Sequence, residues 1–229
     1  MKKIIALSLT AALLGFMTLG FKQAKTLEEG VVEFDVTFLN LTPEMKQAES
    51  MFPKKLIMYF KGKSFRNEMP SGMGNTITIN NGIKKEFYLL MDMMGQKTAL
   101  KQTEEQMKKQ LAEADVKNIK VSFEKETKVI AGYTCKRALI NLTLEGKEEQ
   151  IECFYTPELP DIANHNTSPG FDQIKGFMME YTLNMQGMKT KLTASKVRKE
   201  AVDPKLFELP EGYTLKTLEE LRNMGGGQD

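Results

Sequence analysis

Residues 129–160, VIAGYTCKRALINLTLEGKEEQIECFYTPELP, alternate apolar and polar side chains through two runs that a short turn joins. Period-two patterning specifies strands rather than helices. Glu145, Gly146 and Lys147 bring the runs 133–144 and 148–155 back on each other as an antiparallel pair. A chain organised around such a hairpin folds into sheet, and each strand of a sheet shows alternate side chains to opposite faces.

The same period recurs along the chain. Val32, Phe34, Val36 and Phe38 alternate with Glu33, Asp35 and Thr37, the mark of a strand with one buried and one wet face. Residues 55–60 read as a second strand, apolar on both faces, and Gly62 turns it into residues 64–69. Residues 75–80 and 83–92 form a hairpin in which Asn81-Gly82 supplies the positive φ values of a two-residue turn. Further strands are read at 97–101, 118–126, 177–185 and 188–197.

Helical patterning is sparse. It covers residues 44–51 after Thr42-Pro43, residues 103–114, and residues 215–224 before a glycine tail. The middle helix opens on a Thr103–Gln106 capping box and carries an apolar stripe of Met107, Leu111 and Ala114. Nine or ten strands, two or three helices and no βαβ alternation predict a mainly β (α+β) fold. The expected architecture is a highly curved antiparallel sheet or incomplete β-barrel with two or three covering helices. Residues 27–215 show no linker composition and read as one domain, with a C-terminal helix and flexible tail over 216–229.

Residues 1–20 place Lys2 and Lys3 before an apolar run from Ile4 to Leu19, with small residues after it. This is the layout of a Sec-type secretory leader cleaved near residues 20–24, which sends the mature chain to a bacterial periplasm or medium. Nothing later in the chain is apolar enough to span a bilayer. Without Lys2 and Lys3 the chain carries 30 basic and 30 acidic residues of interspersed sign. That balance offers no electrostatic footprint for nucleic acid.

The residues that carry chemistry are few. His165 is the sole histidine, which removes histidine triads and histidine zinc sites. No phosphate-binding glycine loop or dinucleotide fingerprint is present, and the carboxylates are scattered. The sequence predicts no catalytic residue, no cofactor and a non-enzymatic protein. Cys135 and Cys153 lie on the two strands of the opening hairpin. A three-residue turn at 145–147 puts both on one face, with Cys135 opposite Pro157 and two pairs from Cys153. That separation exceeds the ~7 Å Cα limit for a bridge. A bulge or shifted turn would close it, so a disulfide and two buried free thiols both stay open.

Methionine is over-represented: sixteen residues, with no tryptophan. Met91, Met93 and Met94 form the densest cluster, and thioethers favour Cu(I). The competing readings are a malleable apolar lining and plain core packing.

The string Val129-Ile130-Ala131-Gly132-Tyr133-Thr134-Cys135-Lys136-Arg137-Ala138 resembles the I-x-G-Y-x-C-x-x-A hairpin of an exported Bacteroidetes-type family, DUF4412, and of the related GLPGLI proteins. Three further segments are similar to theirs, in the same order: residues 153–160, residues 176–181 and residues 202–213. Ile174-Lys175-Gly176 stands where GLPGLI proteins carry their Pro-Gly pair, which makes DUF4412 the better fit. The resemblance covers residues 129–213; earlier residues match in pattern alone. It implies kinship with the LolA/LolB periplasmic carriers, hence an incomplete barrel whose concave face holds an acyl chain. It carries no catalytic residue across.

These readings combine into an exported envelope protein that binds a hydrophobic ligand, a lipid or acyl chain, on a sheet face. The candidate lining is Phe34, Phe38, Met58, Phe60, Leu89, Met91 and Met179. The alternatives are Cu(I) binding through Met91, Met93 and Met94, and a module in which the loop 156–175 meets another envelope protein.

Overall fold

The computed structural model describes residues 27–113, 115–162, 169–185 and 188–220. The expected leader, His165 and the last four residues of the expected C-terminal helix lie outside the described residues. The strands are, in chain order, β1 Glu29–Phe38, β2 Lys55–Lys61, β3 Ser64–Ser71, β4 Gly74–Asn81, β5 Glu86–Met93, β6 Gln96–Thr103, β7 Val116–Ile130, β8 Tyr133–Leu144, β9 Lys147–Thr156, β10 Phe177–Met185, β11 Met188–Arg198 and β12 Thr214–Lys216. Helices α1 Pro43–Gln47 and α2 Glu104–Glu113 join 3-10 turns at Glu49–Met51, Phe171–Gln173 and Pro204–Phe207.

All twelve strands form one open, curved sheet in the order β12-β6-β5-β4-β3-β2-β1-β11-β10-β9-β8-β7. It is antiparallel except where β12 lies parallel to β6. The mainly β, incomplete-barrel class read from the sequence is the one observed. β1 is the joint of the sheet. One edge pairs with β2 and the first meander, and the other with β11 and the second. Its alternation serves both faces. Val32 and Phe34 enter the larger core, and Val31 enters a second core on the opposite face.

Irregular segments do much of the covering expected of helices, and α1 buries no residue. The connection between β9 and β10 folds back over the larger core and inserts Leu159, Phe171 and Ile174, all fully or nearly fully buried. It comes close to β8 at Gly170. There φ is +91° and an added Cβ would stand 2.7 Å from the Cγ2 of Ile140, so the position requires glycine for conformation and space. On the opposite face residues 202–213 lay Val202 and Phe207 against Ile77, Ile79, Tyr88, Leu90 and Ala99. Backbone carbonyls tie that segment down: Arg66 donates to Leu206 O at 3.2 Å, Asn81 to Phe207 O at 3.0 Å and Lys61 to Val202 O at 3.1 Å.

Three local expectations change. The β8–β9 turn has two residues, not three: Leu144 pairs with Lys147, and Glu145 and Gly146 take φ of 50° and 77°. The β4–β5 turn has four, because Asn81 pairs with Glu86. Asn81 Oδ1 accepts from the amides of Ile83 and Lys84 while its Nδ2 is held by Phe207 O, so its side chain shapes a longer loop. Leu215, expected in a helix, belongs to β12, which covers the edge of β6. Helix 218–220 begins after it, where Thr217 and Glu220 cap each other's amides.

Candidate functional site

The ladder registers show which candidate side chains share a face. Val32 lies opposite Met58, Met58 opposite Asn67, Asn67 opposite Thr78, Thr78 opposite Leu89 and Leu89 opposite Leu100. Residues in directly opposed pairs point the same way, and so do residues two apart on one strand. Phe34, Phe38, Met58, Phe60, Leu89 and Met91 therefore lie on one face of the sheet. Met179 joins them through the larger core, which holds Phe34, Met58 and Phe60.

In the part of this face built on β1, β2 and β10 the side chains are sealed. Phe34, Phe60 and Met179 are 0% exposed and Met58 is 2% exposed. Phe177 stacks on Phe34 at 6.2 Å and lies 6.0 Å from Phe60, and Tyr181 meets Phe34 and Phe171 edge-on at 6.1 Å. Burial drives the Tyr181 phenol well above the usual tyrosine range. Phe38 is half-buried and shielded by Phe52 at 5.3 Å. The plug of Leu159, Phe171 and Ile174 occupies the space that an empty groove would leave. The loop expected to meet a partner thus turns Leu159, Phe171 and Ile174 inwards.

In the part built on β4 to β6 the same face is only partly covered. Leu89 and Met91 are half-buried, and so is Phe87, two residues earlier on β5. Phe87 lines a cleft of about 820 Å³ between the β4–β5 turn, the start of α2 and residues 160–162. Met107, Pro160 and Ile162 complete its apolar wall, and Lys63, Lys85 and Lys108 stand on it. The cleft lies within the ordinary range of small-molecule sites.

Its lining acids are Glu86, Glu104 and Asp161, and lysines engage the first two. Glu86 accepts from Lys101 and from the Tyr88 hydroxyl, each at 2.6 Å, which holds its carboxyl below the usual range. Glu104 is held down by Lys108 at 2.5 Å. No ion pair involves Lys63 or Lys85 among the described residues. The capping box reads as expected, with Thr103 N on Gln106 Oε1 at 2.8 Å and Gln106 N on Thr103 Oγ1 at 3.2 Å, and it fixes the helix that carries Met107.

None of the seven candidate lining residues lines this cleft: Leu89 and Met91 are half-buried further along the strand that carries Phe87, Phe38 is half-buried against Phe52, and Phe34, Met58, Phe60 and Met179 are core. Phe87 was missed although its parity on β5 matches that of Leu89 and Met91. Met107 was visible as part of an amphipathic stripe, but its position over the sheet was not. The lysines and residues 160–162 converge through tertiary structure alone.

Both cysteines are free and buried. Cys153 pairs with Ala138, and Cys135, three positions from Ala138, points to the opposite face. The disulfide option is therefore not formed: the two-residue turn moves one cysteine through the sheet. Desolvation pushes the thiols up, to about 11 for Cys135 and about 12 for Cys153, which leaves neither nucleophilic near neutral pH. Met91 and Met93 share a face, but Met94 is a turn residue with φ of 51° and 97% exposure. Among the described residues no three histidine, cysteine or acidic side chains cluster as a metal site.

Comparison with known families adds the following. The profile of a family described as a domain of unknown function, DUF4412, matches residues 41–213. Comparison with curated proteins finds no match. Among solved structures the chain is similar to the lipoprotein LppX of Mycobacterium tuberculosis, with 9% identity and a TM-score of 0.40 over 77% of this chain and 89% of that one. It is also similar to LprF from Mycobacterium bovis, with 10% identity and a TM-score of 0.34 over 77% of this chain and 90% of that one.

Proposed function

The chain belongs to the DUF4412 family, and from that premise we propose that it is a non-enzymatic, exported binding protein for a hydrophobic ligand of lipid or acyl-chain type. The observation that carries this reading is the uneven cover of one apolar face, sealed by the plug over β1, β2 and β10 but opening into a cleft at Phe87, with Leu89 and Met91 half-buried further along the same strand. The ligand's chain enters the cleft against Phe87, Met107 and Ile162 and continues along the sheet face towards Leu89. Burial drives binding, at about 0.8 kcal/mol for each CH₂ group removed from water, less the cost of ordering the ligand. An acidic headgroup fits the lysine side of the cleft, because Glu86 and Glu104 already have cationic partners. The leader expected over residues 1–20 supports a site of action in the cell envelope.

The test is titration of the delipidated mature chain with a fluorescent long-chain fatty acid. Saturable binding that Phe87→Arg weakens by about tenfold or more, with Phe34→Leu leaving it unchanged, supports the reading. Absence of saturable binding sinks it. Replacing Lys63 and Lys85 by Gln should weaken the fatty acid but not its methyl ester, and added salt should weaken the acid alone.

A further inference from the structure

At the other end of the sheet the ladder between β9 and β10 stops early. Its last pair is Cys153 with Tyr181. Beyond it β9 stays with β8 as far as Lys147, and β10 stays with β11 as far as Met185, so the two strands fork. A cavity of about 510 Å³ lies in the fork. Its walls include the residues that a continued ladder would have paired: Gln150 and Ile151 of β9, Leu183 and Asn184 of β10. Ile151 lies opposite Ile140 and Leu183 opposite Thr190, both buried, so these two side chains point inwards. Val116, Leu142 and Pro169 supply the apolar floor. On the far side the sheet curls until Cα atoms of β7 come within 8 Å of β11.

We propose that this fork receives an extended peptide strand of another polypeptide, which inserts between β9 and β10 and completes the ladder on both sides. Each edge of the fork presents amides and carbonyls that the other edge does not pair. Backbone polar groups withdrawn from water need partners. A hydrocarbon chain supplies none, whereas a peptide strand supplies them to both edges at once, about 4.8 Å from each. Alternate side chains of the inserted strand meet different surroundings. Those in register with Ile151 and Leu183 face the apolar floor, and those in register with Gln150 and Asn184 face outwards. The guest is therefore a peptide of alternating apolar and polar residues.

The sheet's other long open edge is a poorer receptor. β7 is broken by bulges after Lys117 and Phe123 and carries Lys117, Lys120, Lys125 and Lys128, the devices that discourage strand addition.

This site is separate from the lipid cleft, so the two stand or fall independently. The experiment uses the mature chain and a blocked, fluorophore-labelled alternating Thr-Val hexapeptide, read by anisotropy and by amide hydrogen exchange. The expected result is saturable binding with slowed exchange at residues 149–152 and 182–184. N-methylating alternate amides of the probe should weaken binding by about tenfold or more while leaving its side chains intact. Ile151→Lys should abolish peptide binding and leave the fluorescent fatty acid bound as before. No binding, equal binding of the N-methylated probe, or protection confined to other strands overturns the proposal. Displacement of the peptide from the fork by the fatty acid overturns it as well, because it assigns the fork to hydrocarbon.

Discussion

Two regions of one sheet face differ in what covers them. Over β1, β2 and β10 a segment of the chain fills the concavity and makes Phe34, Phe60 and Met179 ordinary core. Over β4 to β6 the face is built from the same strand alternation, yet Phe87, Leu89 and Met91 stay half-buried, and Phe87 lines a cleft. Strand patterning is alike in both regions. The difference arises from the β9–β10 connection, which is long enough to reach back over one region and places Gly170 where no side chain fits. Apolar residues on a sheet face therefore do not identify a ligand site until the covering segment is known.

The largest effect that would break this contrast is at the plug. Phe171→Ala should cost about 3–5 kcal/mol in a denaturant titration, as expected for a large side chain removed from a close-packed core, whereas Phe87→Ala should cost less than about 1.5 kcal/mol. Equal costs would mean that the two regions are covered alike. Next comes Gly170→Ala, which strains a left-handed backbone and pushes a methyl group onto Ile140, at about 1–3 kcal/mol. If it is neutral, the plug does not rest on Ile140. Thr103→Ala removes the cap of α2 and should cost about 1 kcal/mol or less, with weaker fatty-acid binding because Met107 loses its fixed position.

A pH experiment bears on the sealed region. Both thiols are raised by burial, so their contribution to stability is full below the unfolded thiol pKa near 9 and is lost as pH rises towards 11 to 12. Native protein at pH 8 should therefore resist iodoacetamide at both cysteines, and full alkylation should need denaturant. Rapid labelling of Cys153 in native protein would show that the sealed region opens, and rapid labelling of Cys135 that the opposite face does.

How much of this was legible in the sequence depended on turn length in a specific way. At Asn81-Gly82 a two-residue turn was expected and a four-residue turn is observed. The change moves the register by whole pairs, so Leu89 and Met91 kept the face assigned to them. At residues 145–147 a three-residue turn was expected and a two-residue turn is observed. That change reverses parity and sends Cys135 and Cys153 to opposite faces. Glu145 takes a positive φ there although it has a side chain, a choice that composition alone does not announce. Strand positions followed from alternation, and the α2 cap from a four-residue motif. The plug and the cleft did not, because Phe171, Ile174, Met107 and Lys63 meet through contacts between distant segments that no local period encodes.

The central claim is that the uncovered region of the face, and not the plugged one, takes the ligand. Amide hydrogen exchange of the delipidated mature chain, with and without a saturating long-chain fatty acid, tests it most directly. The account predicts slowed exchange at residues 86–91 and 104–108, with residues 32–36 and 177–181 unchanged. Slowed or accelerated exchange concentrated at 32–36, 171–174 and 177–181 would show that the ligand displaces the plug and would contradict it.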